Sequence, residues 1–120
     1  MIESLFARID SKRDELISFT QELVSIPTIN PPGEEYLKCA ELLGNRLAKS
    51  GFSLLFERAN NTPGDSERYP RHNVIARIEG KHSGPCVHFN GHLDVVVTGS
   101  GWTVDPFEGL VREGKIYGRG

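Results

Sequence analysis

Hydrophobic residues recur every three or four positions in two stretches near the start of the chain, and this spacing predicts two amphipathic helices. The first helix should end before Pro27, because proline does not fit the interior of a helix. Its apolar face consists of Leu5, Ile9, Leu16, Phe19 and Leu23. The second helix should begin near Glu34 and Glu35 and end at Gly51, which suits a left-handed cap. Its apolar face consists of Leu37, Ala40, Leu43 and Leu47.

After the second helix, apolar and polar residues alternate, which predicts strands. Residues 52–58 and 73–79 should form two short strands, and the polar stretch between them, residues 59–71, indicates a surface loop. Residues 85–97 are predicted to form the longest strand, with one face in the core. That face consists of Val87, Phe89, Gly91, Leu93 and Val95. Residues 110–117 predict a β-hairpin with a Glu-Gly turn.

The opposite face of the strand predicted at residues 85–97 becomes polar toward its C-terminal end, where ligand sites of open α/β sheets lie. His92 and Asp94 should both point to this face, with their α-carbons about 6–7 Å apart at the usual rise of a strand. A carboxylate at that distance can accept a hydrogen bond from one imidazole nitrogen and leave the other as a lone-pair donor. Metal-binding histidines have this arrangement, and it also suits a general base.

A histidine and an aspartate at this spacing are a weak signal by themselves, because a purely structural ion pair at a strand end has the same pattern. His88 should lie on the same face about 13 Å from His92, which is too far for the two to share one metal ion. We therefore predict that His88 is a partly buried packing residue. His72 and His82 are predicted to lie at the surface.

Composition and charge exclude several classes of function. The 120 residues are 38% hydrophobic and 25% charged, as in an ordinary globular domain. The net charge of −2, without a basic stripe, argues against nucleic acid or an anionic membrane as the main partner. No apolar run approaches the roughly 18 residues of a membrane-spanning helix, and the charged first residues do not fit a signal peptide. Cys39 and Cys86 lack the spacing of a zinc site and are predicted to be buried free thiols, so the cytoplasm is the expected location.

Four stretches of the sequence together resemble one family. They are residues 25–34 (SIPTINPPGE), 91–96 (GHLDVV), 102–107 (WTVDPF) and 113–120 (EGKIYGRG). In this order they are similar to the dinuclear zinc amidohydrolases and metallopeptidases, a family that includes acetylornithine deacetylase, succinyl-diaminopimelate desuccinylase, aminoacylase-1 and glutamate carboxypeptidase. The resemblance spans essentially the whole chain.

The resemblance implies roles for particular residues. His92 matches the first zinc ligand of the family, and Asp94 matches the catalytic-site aspartate that orients this histidine. The implied cofactor is a pair of zinc ions, for which cobalt or manganese could substitute. Residues 118–120 match the loop that leads to a metal-bridging aspartate. That aspartate, the remaining ligands, the general-base glutamate, the substrate-binding groups and a lid domain are therefore expected beyond Gly120.

The resemblance also implies the fold. Residues 1–120 are expected to be the N-terminal portion of an α/β, zinc-peptidase-like catalytic domain. In this expectation two helices are followed by a mixed sheet and a β-hairpin, and the domain is incomplete. Strands without their neighbours leave an open edge, so the chain alone is expected to be marginally stable and prone to aggregate.

The function implied for the parent protein is hydrolysis of an N-acyl amide of an amino acid by zinc-activated water, as in deacetylases and desuccinylases. A dipeptidase or carboxypeptidase of the same family is one alternative, and a non-catalytic binding or assembly fragment is another. The expected partner is a small N-acyl amino acid or a short peptide, and the parent could be a homodimer through its lid domain. We expect the 120-residue chain alone to be inactive, since a single histidine cannot hold zinc tightly.

Three smaller features each allow two interpretations. Trp102 and Phe107 fit packing aromatics better than a wall of the site, because aromatic side chains usually pack. Residues 30–33 (NPPG) fit a rigid connector better than a border of the substrate site. Arg119 could bind a substrate carboxylate, but a solvated end of the chain is the favoured interpretation.

Overall fold

A computed structural model describes residues 2–120, which divide into two compact units. We call residues 2–26 and 98–120 the terminal unit, and residues 27–97 the central unit. The chain contains helices and strands in the order α1 (Ile2–Ser11), α2 (Arg13–Val24), α3 (Tyr36–Lys49), β1 (Ser53–Arg58), β2 (His72–Arg77), β3 (Leu110–Arg112) and β4 (Lys115–Tyr117). No helix among residues 2–120 is long and apolar enough to cross a membrane.

The first predicted helix is in fact two helices, α1 and α2, which meet at Lys12. Lys12 has φ −101° and ψ 6°, outside the helical range. The Ser11 hydroxyl donates a hydrogen bond to the Arg8 carbonyl at 2.8 Å, so a side chain competes with the backbone at this point. The apolar spacing continues across the break, which is why the pattern alone predicts one helix.

The hairpin of the terminal unit confirms the prediction for residues 110–117. Strands β3 and β4 are antiparallel, with Arg112 opposite Lys115. The turn residues Glu113 and Gly114 have φ values of 51° and 73°, and a two-residue turn of the tight hairpin type requires positive φ at both positions. The Gln21 side chain of α2 donates to the Gly109 carbonyl at 2.8 Å, which attaches the hairpin to this helix.

Helix α3 is the packed element of the central unit. It begins at Tyr36, after Glu35 in a left-handed conformation, and ends before Gly51, which has φ 89° as expected for a left-handed cap. Its buried residues are Tyr36, Cys39, Ala40 and Gly44. A Cβ atom at Gly44 would collide with the ring of Phe56 on β1, so glycine allows the helix and the strand to approach closely. Leu37, predicted on the apolar face, is exposed.

The two short strands β1 and β2 pair with each other in an antiparallel register, with Ser53 opposite Arg77. This confirms the strands predicted on either side of the polar loop. The mixed sheet predicted from the family resemblance is wrong, because residues 2–120 contain two separate two-stranded antiparallel sheets. The coarser prediction of a mixed α/β chain is confirmed.

Residues 85–97 do not form the predicted strand. Their one ladder contact within the described chain is a parallel bridge between Ile29 and Val95. The expected core face is also wrong at its beginning, since Val87 and Phe89 are 74% and 90% exposed. A strand requires a hydrogen-bonded neighbour, and alternation of side chains along a sequence does not show whether that neighbour exists.

Candidate functional site

Two short stretches of the central unit are joined where the predicted site begins. The amide of Val95 donates to the Thr28 carbonyl at 2.9 Å, and the amide of Asn30 donates to the Val95 carbonyl at 2.8 Å. The buried Thr28 hydroxyl also donates to the Leu93 carbonyl at 2.7 Å. These three bonds fix residues 93–95 against residues 28–30, and so fix the backbone that carries Asp94.

His92 and Asp94 are adjacent, as predicted. Nδ1 of His92 lies 2.7 Å from the backbone carbonyl oxygen of Asp94 and 3.3 Å from its carboxylate. The histidine side chain is 81% exposed, whereas that of Asp94 is 34% exposed. The nearer partner of the imidazole is therefore the carbonyl of Asp94, and the carboxylate is the second acceptor.

These contacts determine which imidazole nitrogen carries the proton. Both groups next to Nδ1, a carbonyl and an ionised carboxylate, can only accept hydrogen bonds. Neutral His92 therefore carries its proton on Nδ1, and the lone pair is on Nε2, to which no group of residues 2–120 is hydrogen-bonded. A lone pair on one ring nitrogen, opposite a donor bond from the other, is the state in which histidine binds a metal.

One donor holds the carboxylate of Asp94 through the oxygen that does not face His92. The Asn30 amide nitrogen donates to Asp94 Oδ2 at 2.9 Å, whereas His92 lies near Oδ1. The Asn30 bond is the main reason that the pKa of Asp94 lies below its ordinary value, with a smaller contribution from His92. Burial first, and then the charge of Asp94, raises the pKa of Tyr36, which keeps its hydroxyl protonated.

Arg71 lies behind Asn30 and Tyr36 and contacts both. One terminal nitrogen donates to the Tyr36 hydroxyl at 2.7 Å. The other donates to Asn30 Oδ1 at 3.1 Å and to the Pro32 carbonyl at 3.2 Å. The guanidinium also lies 4.9 Å from the centre of the Tyr36 ring, within the range of a cation–π contact.

The space around the Arg71 guanidinium is formed by two glycines. Gly33 and Gly64 have φ values of 107° and 85°, and a Cβ atom at either position would collide with the guanidinium. The backbone of Arg71 is held as well, because its amide donates to Asp65 Oδ1 at 3.0 Å. Asp65 also accepts from Arg58 at 3.1 Å and 3.2 Å. The arginine is therefore held at its backbone and at its charged end.

One residue of the candidate site, His92, has the form of a metal ligand. The lone pair on Nε2 and the bonds of Nδ1 give His92 the form of a zinc-ligating imidazole. Among residues 2–120, no group of three or more histidines, cysteines, aspartates and glutamates could hold a metal ion. Residues 2–120 therefore offer one imidazole nitrogen with a free lone pair, next to a carboxylate, and no complete set of metal ligands.

The remaining residues of interest lie elsewhere. His88 is exposed, so its prediction as a partly buried packing residue is wrong. His82 is exposed as predicted, whereas His72 is half-buried at the first position of β2. In the terminal unit, Arg119 donates to the Thr98 carbonyl at 3.0 Å and lies 5.4 Å from the ring centre of Trp102, so it is not a solvated end. Trp102 donates to the same carbonyl at 2.7 Å, in keeping with a packing role.

Sequence reasoning missed two residues of this network and misjudged a third. Arg71 lies within a polar loop, and Tyr36 lies on the buried side of a helix, so neither has a motif or spacing that distinguishes it. Asn30 belongs to the NPPG stretch, for which a connector role was favoured, but its side chain contacts both Asp94 and Arg71. Its position directly before two prolines was the one available signal, because that context restricts the backbone of the residue.

The chain is similar to known hydrolases over nearly all of its length. It is 30% identical to the N-formyl-4-amino-5-aminomethyl-2-methylpyrimidine deformylase of Halalkalibacterium halodurans, covering 100% of this chain and 27% of the relative. It is 39% identical to the succinyl-diaminopimelate desuccinylase of Delftia acidovorans, covering 87% of this chain and 26% of the relative. The desuccinylase of Methylobacterium radiotolerans is 37% identical, with 89% and 25% covered.

These matches have a defined extent. The chain spans about a quarter of the length of the curated relatives that it matches. No family model matches the chain, and no solved structure matches it. The similarity therefore describes the covered region, which includes His92 and Asp94.

Proposed function

We propose that the protein hydrolyses the amide bond of an N-acylated amino acid with the help of zinc. Over the region that it covers, the chain belongs to the amidohydrolase and metallopeptidase family that includes succinyl-diaminopimelate desuccinylase. The relatives are named as desuccinylases and a deformylase, which are hydrolases that remove an acyl group. Since the chain spans about a quarter of their length, the activity is proposed for the whole protein that contains these residues.

One observation carries the proposal: Nε2 of an exposed histidine keeps its lone pair because Nδ1 lies against two acceptors of Asp94. In this interpretation His92 binds zinc through Nε2, and Asp94 keeps the imidazole in the correct tautomer and orientation. Asn30 donates to the Asp94 carboxylate and so keeps it ionised. Zinc, when bound, would polarise the amide carbonyl and lower the pKa of a water molecule.

The 120-residue chain by itself is expected to bind zinc weakly and to show no turnover. Structural and catalytic zinc sites use three or four protein ligands, and His92 is the one that we assign. Cys39 is a buried free thiol as predicted, whereas Cys86 is free but exposed, so its predicted burial is wrong. We propose a cytoplasmic location, because free thiols are usual in a reducing compartment.

The test is to express the complete reading frame that contains these residues and to measure hydrolysis and bound zinc together. The substrates are N-succinyl, N-acetyl and N-formyl amino acids, with a dipeptide as a comparison. We expect one N-acyl class to be hydrolysed, the activity to disappear with a chelator, and zinc to restore it. Preference for the dipeptide would favour a peptidase of the same family. Tightly bound zinc without hydrolysis of any amide, or hydrolysis that is unaffected by chelation, would contradict the proposal.

A further inference from the structure

We infer that Asn90 is a site of spontaneous deamidation, in which its side-chain amide becomes a carboxylate through a cyclic imide formed with the backbone of Gly91. The inference goes beyond the proposed function and does not depend on it. Among the six asparagines of the chain, Asn90 is the one that is followed by glycine.

The reaction joins two neighbouring residues. The backbone nitrogen of Gly91 loses its proton to a base in solution and attacks the side-chain carbonyl carbon of Asn90. A carbon–nitrogen bond forms, ammonia leaves, and a five-membered cyclic imide remains. Water then opens the ring at one of its two carbonyl groups, which gives either aspartate or isoaspartate. Water is the one co-reactant consumed, and nothing is oxidised or reduced.

The structure leaves both reacting groups free. Asn90 and Gly91 are exposed, and within residues 2–120 neither the Asn90 side chain nor the Gly91 amide takes part in a hydrogen bond. Apart from its chain neighbours, no atom lies within 4 Å of the position that a Cβ atom would occupy on Gly91. Ring closure requires the Asn90 backbone to rotate, which pairing in a strand would prevent. The unpaired backbone of residues 85–91 permits this rotation.

The other asparagines are placed in ways that oppose the reaction. Asn30 is followed by a proline, which has no N–H proton to lose. Asn45 lies in α3 and Asn73 lies in β2, where hydrogen bonds fix the backbone. Asn60 and Asn61 are exposed, but a residue with a side chain follows each of them. The amide that follows Asn61 also donates a backbone hydrogen bond at 3.4 Å, so it is not free to attack.

The position of Asn90 gives the modification a consequence for the candidate site. Deamidation adds a negative charge two residues before His92, and the isoaspartate product also lengthens the backbone there by one methylene group. Residues 93–95 are held by hydrogen bonds to residues 28–30. The change therefore falls on the free stretch of backbone that leads to His92.

The experiment incubates the 120-residue chain at neutral and at mildly alkaline pH and follows each asparagine by peptide mapping with mass spectrometry. Isoaspartate is measured with an isoaspartyl methyltransferase. Asn90 should deamidate roughly 10-fold faster than Asn60 or Asn61, because glycine has no Cβ atom to crowd the attacking nitrogen. The rate should rise with pH, and both aspartate and isoaspartate should appear at position 90. A rate at Asn90 no higher than at Asn60 and Asn61 would overturn the inference.

Two further measurements separate the role of Gly91 from that of the open backbone. Gly91→Ala adds a Cβ atom that meets nothing within 4 Å, so the structure should be kept while deamidation at Asn90 slows by about 10-fold. Gly84→Ala, at a glycine with equally open surroundings, should leave the rate unchanged. Unfolding the parent chain in urea should change the rate at Asn90 by less than about threefold, because the backbone there is already free. An unaltered rate in Gly91→Ala, or strong protection of Asn90 in the folded chain, would contradict the inference.

Discussion

Two stretches of the central unit differ in how they are held. The polar loop, residues 59–71, ends in Arg71 and contains Asp65, whose side chain is 8% exposed and accepts hydrogen bonds from Arg58 and from the Arg71 amide. The apolar segment, residues 85–91, has Val87 and Phe89 at 74% and 90% exposure, and every one of its residues is exposed. The stretch with the polar composition is thus the one held by side-chain hydrogen bonds, and the stretch with the hydrophobic residues lies open.

The difference shows what fixes each stretch. A buried carboxylate with several donors fixes a loop without any apolar core, because each bond to a charged group contributes more than an ordinary hydrogen bond. Apolar side chains contribute only when another surface removes them from water. Within residues 2–120, the segment 85–91 has no such surface against it. Arg71 thus connects this loop to Asn30 and Tyr36 through its charged end.

The largest expected effect on stability is in the polar loop. Arg71→Leu should lower the free energy of unfolding by about 3 kcal/mol, because it leaves the acceptors of Asn30, Pro32 and Tyr36 without their donor, and each buried unsatisfied group costs about 1–3 kcal/mol. Denaturant unfolding measures this loss. Arg68→Leu, at an exposed position of the same loop, should stay within about 0.5 kcal/mol of the parent. Equal losses in the two variants would mean that Arg71 has no special role.

Gly64 in the polar loop and Gly84 beside the apolar segment provide a comparison in which we expect an effect of intermediate size. Gly64→Ala should cost about 1–2 kcal/mol, because φ is 85° at this position and the new Cβ atom would press on the Arg71 guanidinium. Gly84, next to the apolar segment, has no atom within 4 Å of the added Cβ. Gly84→Ala should therefore change the stability by less than about 0.5 kcal/mol. Thermal unfolding of both variants measures these changes. A larger loss of stability in Gly84→Ala than in Gly64→Ala would contradict the comparison.

Acidification should weaken the polar loop in a predictable direction. Hydrogen bonds from Arg58, and then from the Arg71 amide, hold the pKa of Asp65 below its ordinary value. The contribution of Asp65 to stability is therefore fully present above the unfolded-state pKa, roughly 3.9. It is lost as the pH falls through the lower folded-state pKa. Asp65→Asn should flatten this part of the curve of unfolding free energy against pH, and an unchanged acid slope in the variant would refute the assignment.

The smallest effect is expected in the apolar segment. Phe89→Ser should leave the free energy of unfolding within about 0.5 kcal/mol of the parent, because the ring is 90% exposed. Truncation of a buried phenylalanine costs about 3–5 kcal/mol instead. The variant should also self-associate less, as judged by light scattering, because an exposed apolar patch promotes aggregation. A loss of several kcal/mol would mean that the segment is packed after all.

Local features of this chain follow from its sequence. The cap at Gly51 and the hairpin with Glu113 and Gly114 depend on residues close together in the chain. The adjacency of His92 and Asp94 follows in the same way, because they are two residues apart. Each of these features needs only the conformational preferences of a few neighbouring residues.

The features that escape prediction depend on distant partners. Arg71 contacts Asn30 and Tyr36, which are 41 and 35 residues away, and no local pattern indicates these contacts. The strand predicted at residues 85–97 fails for the same reason, since pairing needs a neighbour that alternation does not reveal. The break at Lys12 escapes because the apolar spacing continues across it, while the backbone of Lys12 leaves the helical range.

The most direct test of the account compares two exposed histidines four residues apart. His92→Asn and His88→Asn should each be introduced into the protein expressed from its complete reading frame, and zinc per chain and hydrolysis of the preferred N-acyl amino acid should be measured together. We expect His92→Asn to lose bound zinc and to reduce hydrolysis to the uncatalysed background, whereas His88→Asn should keep both. Undiminished zinc content and activity in His92→Asn would contradict the assignment of His92 as a zinc ligand.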